Sequence, residues 1–553
     1  MSRRFRCTWC VILFAGLVSL AHADDLPEFH GPSRSYANAS GLPPDADLQR
    51  RGARIGRVLV QIDEVFEEGL ALAAPYRLVN GLHVATQRDT VLQQLLFQTG
   101  DPYDPRLIAE SERLLRSQRY LNDAEIKPIG YGDNLVDVLV RVHDVWTLSP
   151  GVSFGRKGGA NKTRFEFEDT NFLGFGKQAT IARSSDVDRS AWRLAYVDPN
   201  LLGSRWKLVT AWSALSDGKD AQFSLEQPFY ALDTRWSAGL AAFDTSSAVS
   251  RYSLGEVVEQ LNLEERQFEI EGGLSSGLRD GHVNRVIGGL RYDARRFSQR
   301  AGEPPAALPE DRVLAYPWVG LESIEDEYVS TRNLDQIGRT EDLYLGRTAR
   351  IELGFAPSAF GSTHDALVLE GALQAGWDLG DERYLINALD IGGRLEEGKI
   401  ANGRLGMTSR YYHRHSMNRV SFASLTTELT SNLDAEQQLL LGGDNGLRGF
   451  PLRYQAGTAS ALLTVEERFY TRWQPLKLVN VGAAVFMDAG RTWGKNEFAD
   501  EPVGWLGDIG FGLRLGSARS GLGNVLHIDI AFPLNGPKDI DSMQFLIETR
   551  AAF

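Results

Sequence analysis

The decapeptide Leu441-Gly442-Gly443-Asp444-Asn445-Gly446-Leu447-Arg448-Gly449-Phe450 holds the residue types best suited to specific chemistry. Four glycines in eight residues let the chain enter φ > 0 conformations and press its backbone against a wall. Beside the last of them stands one cation, Arg448. A guanidinium taken out of water must find anions, because an unpaired buried charge costs several kcal/mol. Acids follow within the next forty residues: Glu466 and Glu467 in the run 465–469, then Asp488 in the run 485–490. Both runs alternate as strands do, so residues two apart share a face. Glu466 then lies beside Arg468, and Asp488 lies between Phe486 and Gly490. Such a set can fasten a loop to a wall by charge-assisted hydrogen bonds.

Three other spellings have catalytic or ligand-binding counterparts, and context speaks against each. Gly273-Leu274-Ser275-Ser276-Gly277 matches a nucleophile elbow. An elbow needs a strand, a turn and a helix with a downstream acid and histidine, whereas Ser275 lies among alternating runs. Gly393-Arg394-Leu395-Glu396-Glu397-Gly398-Lys399 has P-loop spacing, but Ile400 stands where Ser or Thr is required, and the stretch reads as a turn. His413 and His415 share a strand face, and spacing suggests no third metal ligand. No catalytic residue, cofactor or metal is therefore expected.

The 553-residue chain is 43% hydrophobic and 24% charged, without a long apolar run, which argues against membrane-spanning helices. Arg3, Arg4 and Arg6 precede an apolar stretch at 9–20 and the small-residue pattern Ala21-His22-Ala23. Residues 1–23 thus read as a secretory signal peptide cleaved before Asp24. Both cysteines, Cys7 and Cys10, fall inside it, so the mature chain is expected to lack disulfides, Cys-ligated zinc and a Cys nucleophile. Losing the three signal arginines takes the formal charge from −13 to −16, a poor balance for nucleic-acid binding. Residues 24–54, polar and turn-rich, read as a flexible linker.

Residues 55–147 have the pattern of a small α+β unit in the order strand, two helices, two strands. Val58, Val60 and Ile62 alternate as a strand, and Thr86 is placed to cap a helix running through Val91, Leu92, Leu95 and Leu96. Leu107, Ile108, Leu114 and Leu115 mark a second helix, and Val136, Val138, Val140 and Val142 mark the last strand. From 148 to 553 short alternating runs recur between turn residues, the pattern of a transmembrane β-barrel. Phe165 and Phe167 oppose Arg164, Glu166 and Glu168, one face for lipid and one for a wet lumen. Trp192, Tyr196, Trp206, Trp236 and Trp318 are candidates for aromatic girdles. Tight turns at 171–174 and 200–203 are expected at the periplasmic end, with longer links facing outward. The terminal run places Phe545, Ile547 and Phe553 on one face.

Leu447-Arg448-Gly449-Phe450 followed by Phe486-Met487-Asp488-Ala489-Gly490 resembles the motif pair of the BamA/TamA superfamily of outer-membrane assembly and translocation barrels. Residues 55–147, with Glu110-Ser111-Glu112-Arg113-Leu114-Leu115-Arg116, resemble a single POTRA domain. The terminal strand through Phe553 is similar to the β-signal that directs barrels into the outer membrane. The resemblance implies an α+β POTRA domain in the periplasm followed by an all-β transmembrane barrel at 148–553. Between about sixteen and twenty runs can be marked, and the resemblance selects sixteen antiparallel strands. It further implies that the loop after the eleventh strand folds into the barrel, where Arg448 meets Glu466 and Asp488 with Gly449, Phe450, Phe486 and Gly490 around them. The implied function is insertion or export of client polypeptides at the outer membrane without nucleotide. Implied partners are outer-membrane lipid, clients held by the POTRA domain and the barrel seam, and the barrel assembly machinery for the chain's own insertion, with no nucleic acid. A porin-like channel and a barrel-associated hydrolase are the alternatives.

Overall fold

The computed structural model describes residues 42–65, 83–305, 307–494, 504–519, 525–537 and 540–550. The signal-peptide region, residues 24–41 of the expected linker and Phe553 lie outside them. The chain divides into two compact units at the boundary between Thr147 and Leu148.

The first unit begins with a short helix, α1 (Asp45–Arg50), that follows Pro44 and carries Asp45 and Asp47 in its first turn. Its Leu48 is completely buried in the unit's core. The expected linker therefore ends earlier than residue 54, because a single apolar side chain in a polar stretch suffices to pin one helical turn. β1 (Arg54–Asp63), α2 (Arg88–Leu92), α3 (Pro105–Arg116), β2 (Leu121–Gly132) and β3 (Leu135–Asp144) follow. The sheet order is β1-β3-β2, with β1 parallel and β2 antiparallel to β3, leaving β1 and β2 as its edges. Val136, Val138, Val140 and Val142 of the central strand are all fully buried. Asp104 caps α3 by accepting from the Arg106 amide, and Pro105 occupies the first turn. The N-cap of α2 is Gln87, with no side-chain cap bond, and the Thr86 amide and hydroxyl both donate to the Asp144 carboxylate, at 2.8 and 2.6 Å; α2 stops at Leu92.

The second unit is a closed antiparallel barrel of twenty strands, from Leu148–Lys157 to Gln544–Arg550, rather than sixteen. The marked runs extend to about twenty, and it is the resemblance that selects sixteen. Several strands join through two-residue turns with left-handed backbone, at Leu254-Gly255, Asp280-Gly281 and Glu397-Gly398. Leu254 carries no turn signature, so the boundary between its adjoining runs is blurred. The loop bearing Arg448 consequently follows the fifteenth strand, Arg419–Ser431, and not the eleventh. Five strands follow that loop, as they would in a sixteen-stranded barrel with its loop after the eleventh, so the additional four lie N-terminal to it. Strands Trp236–Ser253, Glu256–Arg279 and His282–Gln299 have 18, 24 and 18 residues. About 9–11 suffice to cross a bilayer, so these hairpins project beyond it.

Alternation sorts the side chains as the sequence requires. Phe165 and Phe167 are about half exposed on the outer face, whereas Glu168 is buried on the inner one. Inside, opposite charges pair across strands, as in Arg291 with Glu269 at 2.7 Å and Arg285 with Glu322 at 2.7 Å. Trp318 belongs to this interior, buried beneath the Arg291 guanidinium, and not to an outer girdle. Trp192 and Trp236 do face outward. The connection at 326–347 lies at the barrel end where the first strand starts, the end of the tight turns, so link length does not sort the two ends.

A sheet closed on itself leaves no backbone edge to start unfolding. The purified protein should be β-rich by circular dichroism and migrate faster unheated than boiled in detergent gels. Recovery as a water-soluble form that runs identically in both conditions contradicts the barrel.

Candidate functional site

The loop from 432 to 458 connects the fifteenth strand to the sixteenth, Ala459–Tyr470. Its stem is a two-stranded ladder in which Leu439–Leu441 pairs with Gln455–Gly457. Above the stem the tip closes on itself: the Gly443 amide donates to the Pro451 carbonyl at 2.8 Å and the Leu447 amide to the Gly442 carbonyl at 3.0 Å. Leu447 and Phe450 are fully buried and pack with Leu441, Tyr454 and Leu506. Of the four glycines only Gly446 has positive φ, +126°. Gly449 is needed for approach, since a Cβ there would stand 2.6 Å from Asp508 Cβ and 3.2 Å from the Pro533 nitrogen. Gly490 leaves space for the loop from the wall side, where a Cβ would meet Leu441 Cδ2 at 2.9 Å.

This close approach carries Arg448 into the wall. Nε and Nη2 donate to Asp488 Oδ2 and Oδ1 at 2.6 and 2.9 Å, a bidentate pair, and Nη1 donates to Glu466 Oε1 at 2.7 Å. The guanidinium lies 3.4 Å from the centre of the Phe486 ring. All four residues are buried. The structure thus brings together every member of the sequence-derived set: Gly449, Phe450, Phe486 and Gly490 shape the contact that Arg448, Glu466 and Asp488 make. Arginine suits it because its planar fork satisfies two acids at once and keeps its proton.

The network is wider than that set. Glu466 gives its other oxygen to Arg468 Nε at 3.0 Å. Asp508 accepts from the Gly449 amide at 3.0 Å. Asp529, which pairs with Arg514, stands 3.9 Å from Arg448 Nη1. The additional acids lie on the eighteenth and nineteenth strands, Leu506–Ser517 and Val525–Pro533, at inward positions of the alternating pattern. Sequence periodicity could have found them, because a charge on the buried face of a strand needs a partner.

The loop has further anchors of both signs. Asp434 accepts from Arg394 at 2.7 and 3.0 Å, and Glu436 accepts from Arg295 and Arg312 at 3.0 and 2.8 Å. On the opposite flank Arg453 Nη1 donates to Asp188 Oδ1 at 2.7 Å. Lys157, at the end of the first strand, donates to the Asp444 carbonyl at 3.0 Å and pairs with Glu548 of the last strand at 2.8 Å.

The remaining candidates lie apart from this network. Ser275 sits inside the eighth barrel strand and accepts from the Gly277 amide at 3.0 Å. Residues 393–396 belong to a strand, with only Glu397-Gly398 as the turn. His413 and His415 have ring centres 3.8 Å apart, and among the described residues no group of three or more His, Cys, Asp or Glu could hold a metal. On the terminal strand Phe545 is exposed, while Leu546 is buried on the opposite face.

Residues 346–550 match the Omp85 superfamily domain, a span that includes the loop and its partners Glu466, Asp488, Asp508 and Asp529. Over 127 residues the chain is 27% identical to a protein of Treponema pallidum (strain Nichols) named "Putative outer membrane protein assembly factor", a match covering 22% of this chain and 15% of that protein. Among solved structures, CdiB from Escherichia coli is 14% identical with a TM-score of 0.46, covering 90% of this chain and 76% of that one. BamA from Haemophilus ducreyi lacking POTRA domains 1-3 is 14% identical with a TM-score of 0.39, covering 90% and 84%.

Removing one partner of a buried ion pair costs about 3–5 kcal/mol. Arg448→Ala should therefore free the loop while the barrel stays closed, and trypsin should then cut after Arg453 in folded protein. Asp488→Ala should do the same. The double variant should fall short of the summed effects by about 0.5–3 kcal/mol, as contacting partners do. Simple additivity of cleavage free energies means that the two side chains do not meet in solution.

Proposed function

We propose, from the premise that this chain is an outer-membrane barrel carrying an Omp85 superfamily domain, that it inserts or exports client polypeptides and that clients engage the barrel at its seam. The observation that carries this reading is the closure between the last and first strands. Among the described residues these pair at one ladder position, Ile547 with Arg156, whereas every other neighbouring pair in the barrel has seven or more. Gly155 brings the strands together without side-chain packing, its Cβ position lying 3.1 Å from the Ile547 carbonyl oxygen. With so few ladder positions among the described residues, the seam is the line we take to open. Once open, it offers unpaired amides and carbonyls to a client strand in a medium where each unsatisfied group costs several kcal/mol.

The first unit is read as POTRA-like and periplasmic. Its edge strands among the described residues, β1 and β2, suit an extended client segment added as another strand. The buried loop disfavours the porin alternative, because its anchors reach both flanks of the lumen. No step in this reading calls for a nucleotide, a metal or a covalent intermediate.

Arg156→Cys combined with Ile547→Cys places thiols at the one paired position of the seam. Oxidation should block client assembly or export by full-length protein, and reduction should restore it. Undiminished client handling by verified cross-linked protein rules out seam opening and leaves the lumen as the route.

A further inference from the structure

The 326–347 connection is not a simple turn. Tyr328–Arg332 and Thr340–Tyr344 pair as a hairpin, and its tip at 333–339 is folded into the barrel. Leu334 and Ile337 at the tip are 1% and 5% exposed, packed with Tyr384, Ile386, Tyr412, Val420, Tyr470, Ala484 and Val525 of six barrel strands. The tip is shaped by a carboxylate: the Leu334 and Asp335 amides donate to the two oxygens of Glu341, each at 2.9 Å. The wall then grips the tip's own polar groups. Arg468 Nη1 donates to the Leu334 carbonyl at 2.7 Å, Asn480 Nδ2 to the Ile337 carbonyl at 2.7 Å, and the Tyr412 hydroxyl to Asp335 at 3.0 Å.

A surface turn pays for no such burial, since a connecting segment on the surface satisfies its backbone with water at lower entropic cost. The tip sits at the barrel end opposite the Arg448 loop, below the same wall strands. One residue links the two through its neighbour. Glu466 holds Arg448 through Oε1 at 2.7 Å and Arg468 through Oε2 at 3.0 Å, and Arg468 in turn holds the tip.

We infer that the 326–347 hairpin is a second plug, closing the lumen at the end where the chain enters the barrel, and that Glu466 couples it to the Arg448 loop through Arg468. Displacing the loop removes the cation from one oxygen of Glu466. The carboxylate is then free to turn toward Arg468 and compete with the Leu334 carbonyl for its donors, which loosens the tip. The two closures thus release together, and the lumen opens only when both are displaced.

Full-length protein in planar bilayers tests this directly. Leu334→Gly with Ile337→Gly should raise conductance several-fold when combined with Arg448→Ala, and much less on its own. The tether is available as well: a Cβ at Gly516 would stand 3.3 Å from Ile337 Cβ, close to the roughly 3.5–4.5 Å of a disulfide. With Ile337→Cys and Gly516→Cys, the oxidised Arg448→Ala protein should stay nearly closed and the reduced one should conduct. Proteolysis of the tip in Arg448→Ala protein, with an intact heat-shifted gel band, reads the coupling. Equal conductance with the disulfide closed and open overturns the plug. A tip as protease-resistant in Arg448→Ala as in the unaltered protein overturns the coupling through Glu466.

Discussion

A guanidinium buried among carboxylates is the constraint from which the interior follows. Arg448 can stay charged there only because Asp488 and Glu466 meet it with three hydrogen bonds and Phe486 covers its face. Those acids need their places fixed, and the strand pleat fixes them. Glu466 and Asp488 lie on adjacent strands, on the inward face of each, where Asp508 and Asp529 continue the row. The loop in turn must come within van der Waals contact of the wall, which Gly449 and Gly490 permit and any larger residue would prevent.

Once one arginine is seated, charge arranges the rest of the loop. It enters through acids, Asp434 and Glu436, held by wall arginines, and leaves through basic groups, Arg448 and Arg453, held by wall acids. A loop shifted in register would set like charges against one another, so the pattern specifies position as well as strength. Lys157 extends the same logic to the closure, since one ammonium touches loop, first strand and last strand. Loop seating and seam geometry are therefore adjoining parts of one electrostatic arrangement.

The sequence made some of this legible and hid the rest for physical reasons. The lock could be read because Arg448 follows glycines and its acids fall at inward positions of clear alternation. The α+β unit could be read from the valine alternation at 136–142, although Thr86 serves β3 and not the helix it was placed to cap. Strand number was legible only as a range of about sixteen to twenty, because turns such as Leu254-Gly255 carry no polar gap, and the resemblance drew the choice to sixteen where the barrel has twenty. The inward fold of 326–347 was invisible because its anchors are non-local: Arg468 reaches back 134 residues to the Leu334 carbonyl, and no local pattern encodes such a contact. Leu48 escaped for the same reason, being one apolar residue in a polar stretch whose burial depends on strands far along the chain.

Hydrogen exchange of the folded barrel carrying Glu466→Gln tests the central claim most directly, because this substitution keeps size and removes only the charge that Arg448 and Arg468 share. Amides of 442–457, including the Gly449 amide held by Asp508, should lose protection, while the flanking barrel strands and 333–339, whose Leu334 carbonyl keeps its Arg468 donor, keep theirs. Unchanged protection of the loop would contradict the account, since the loop would then be held by something other than this carboxylate.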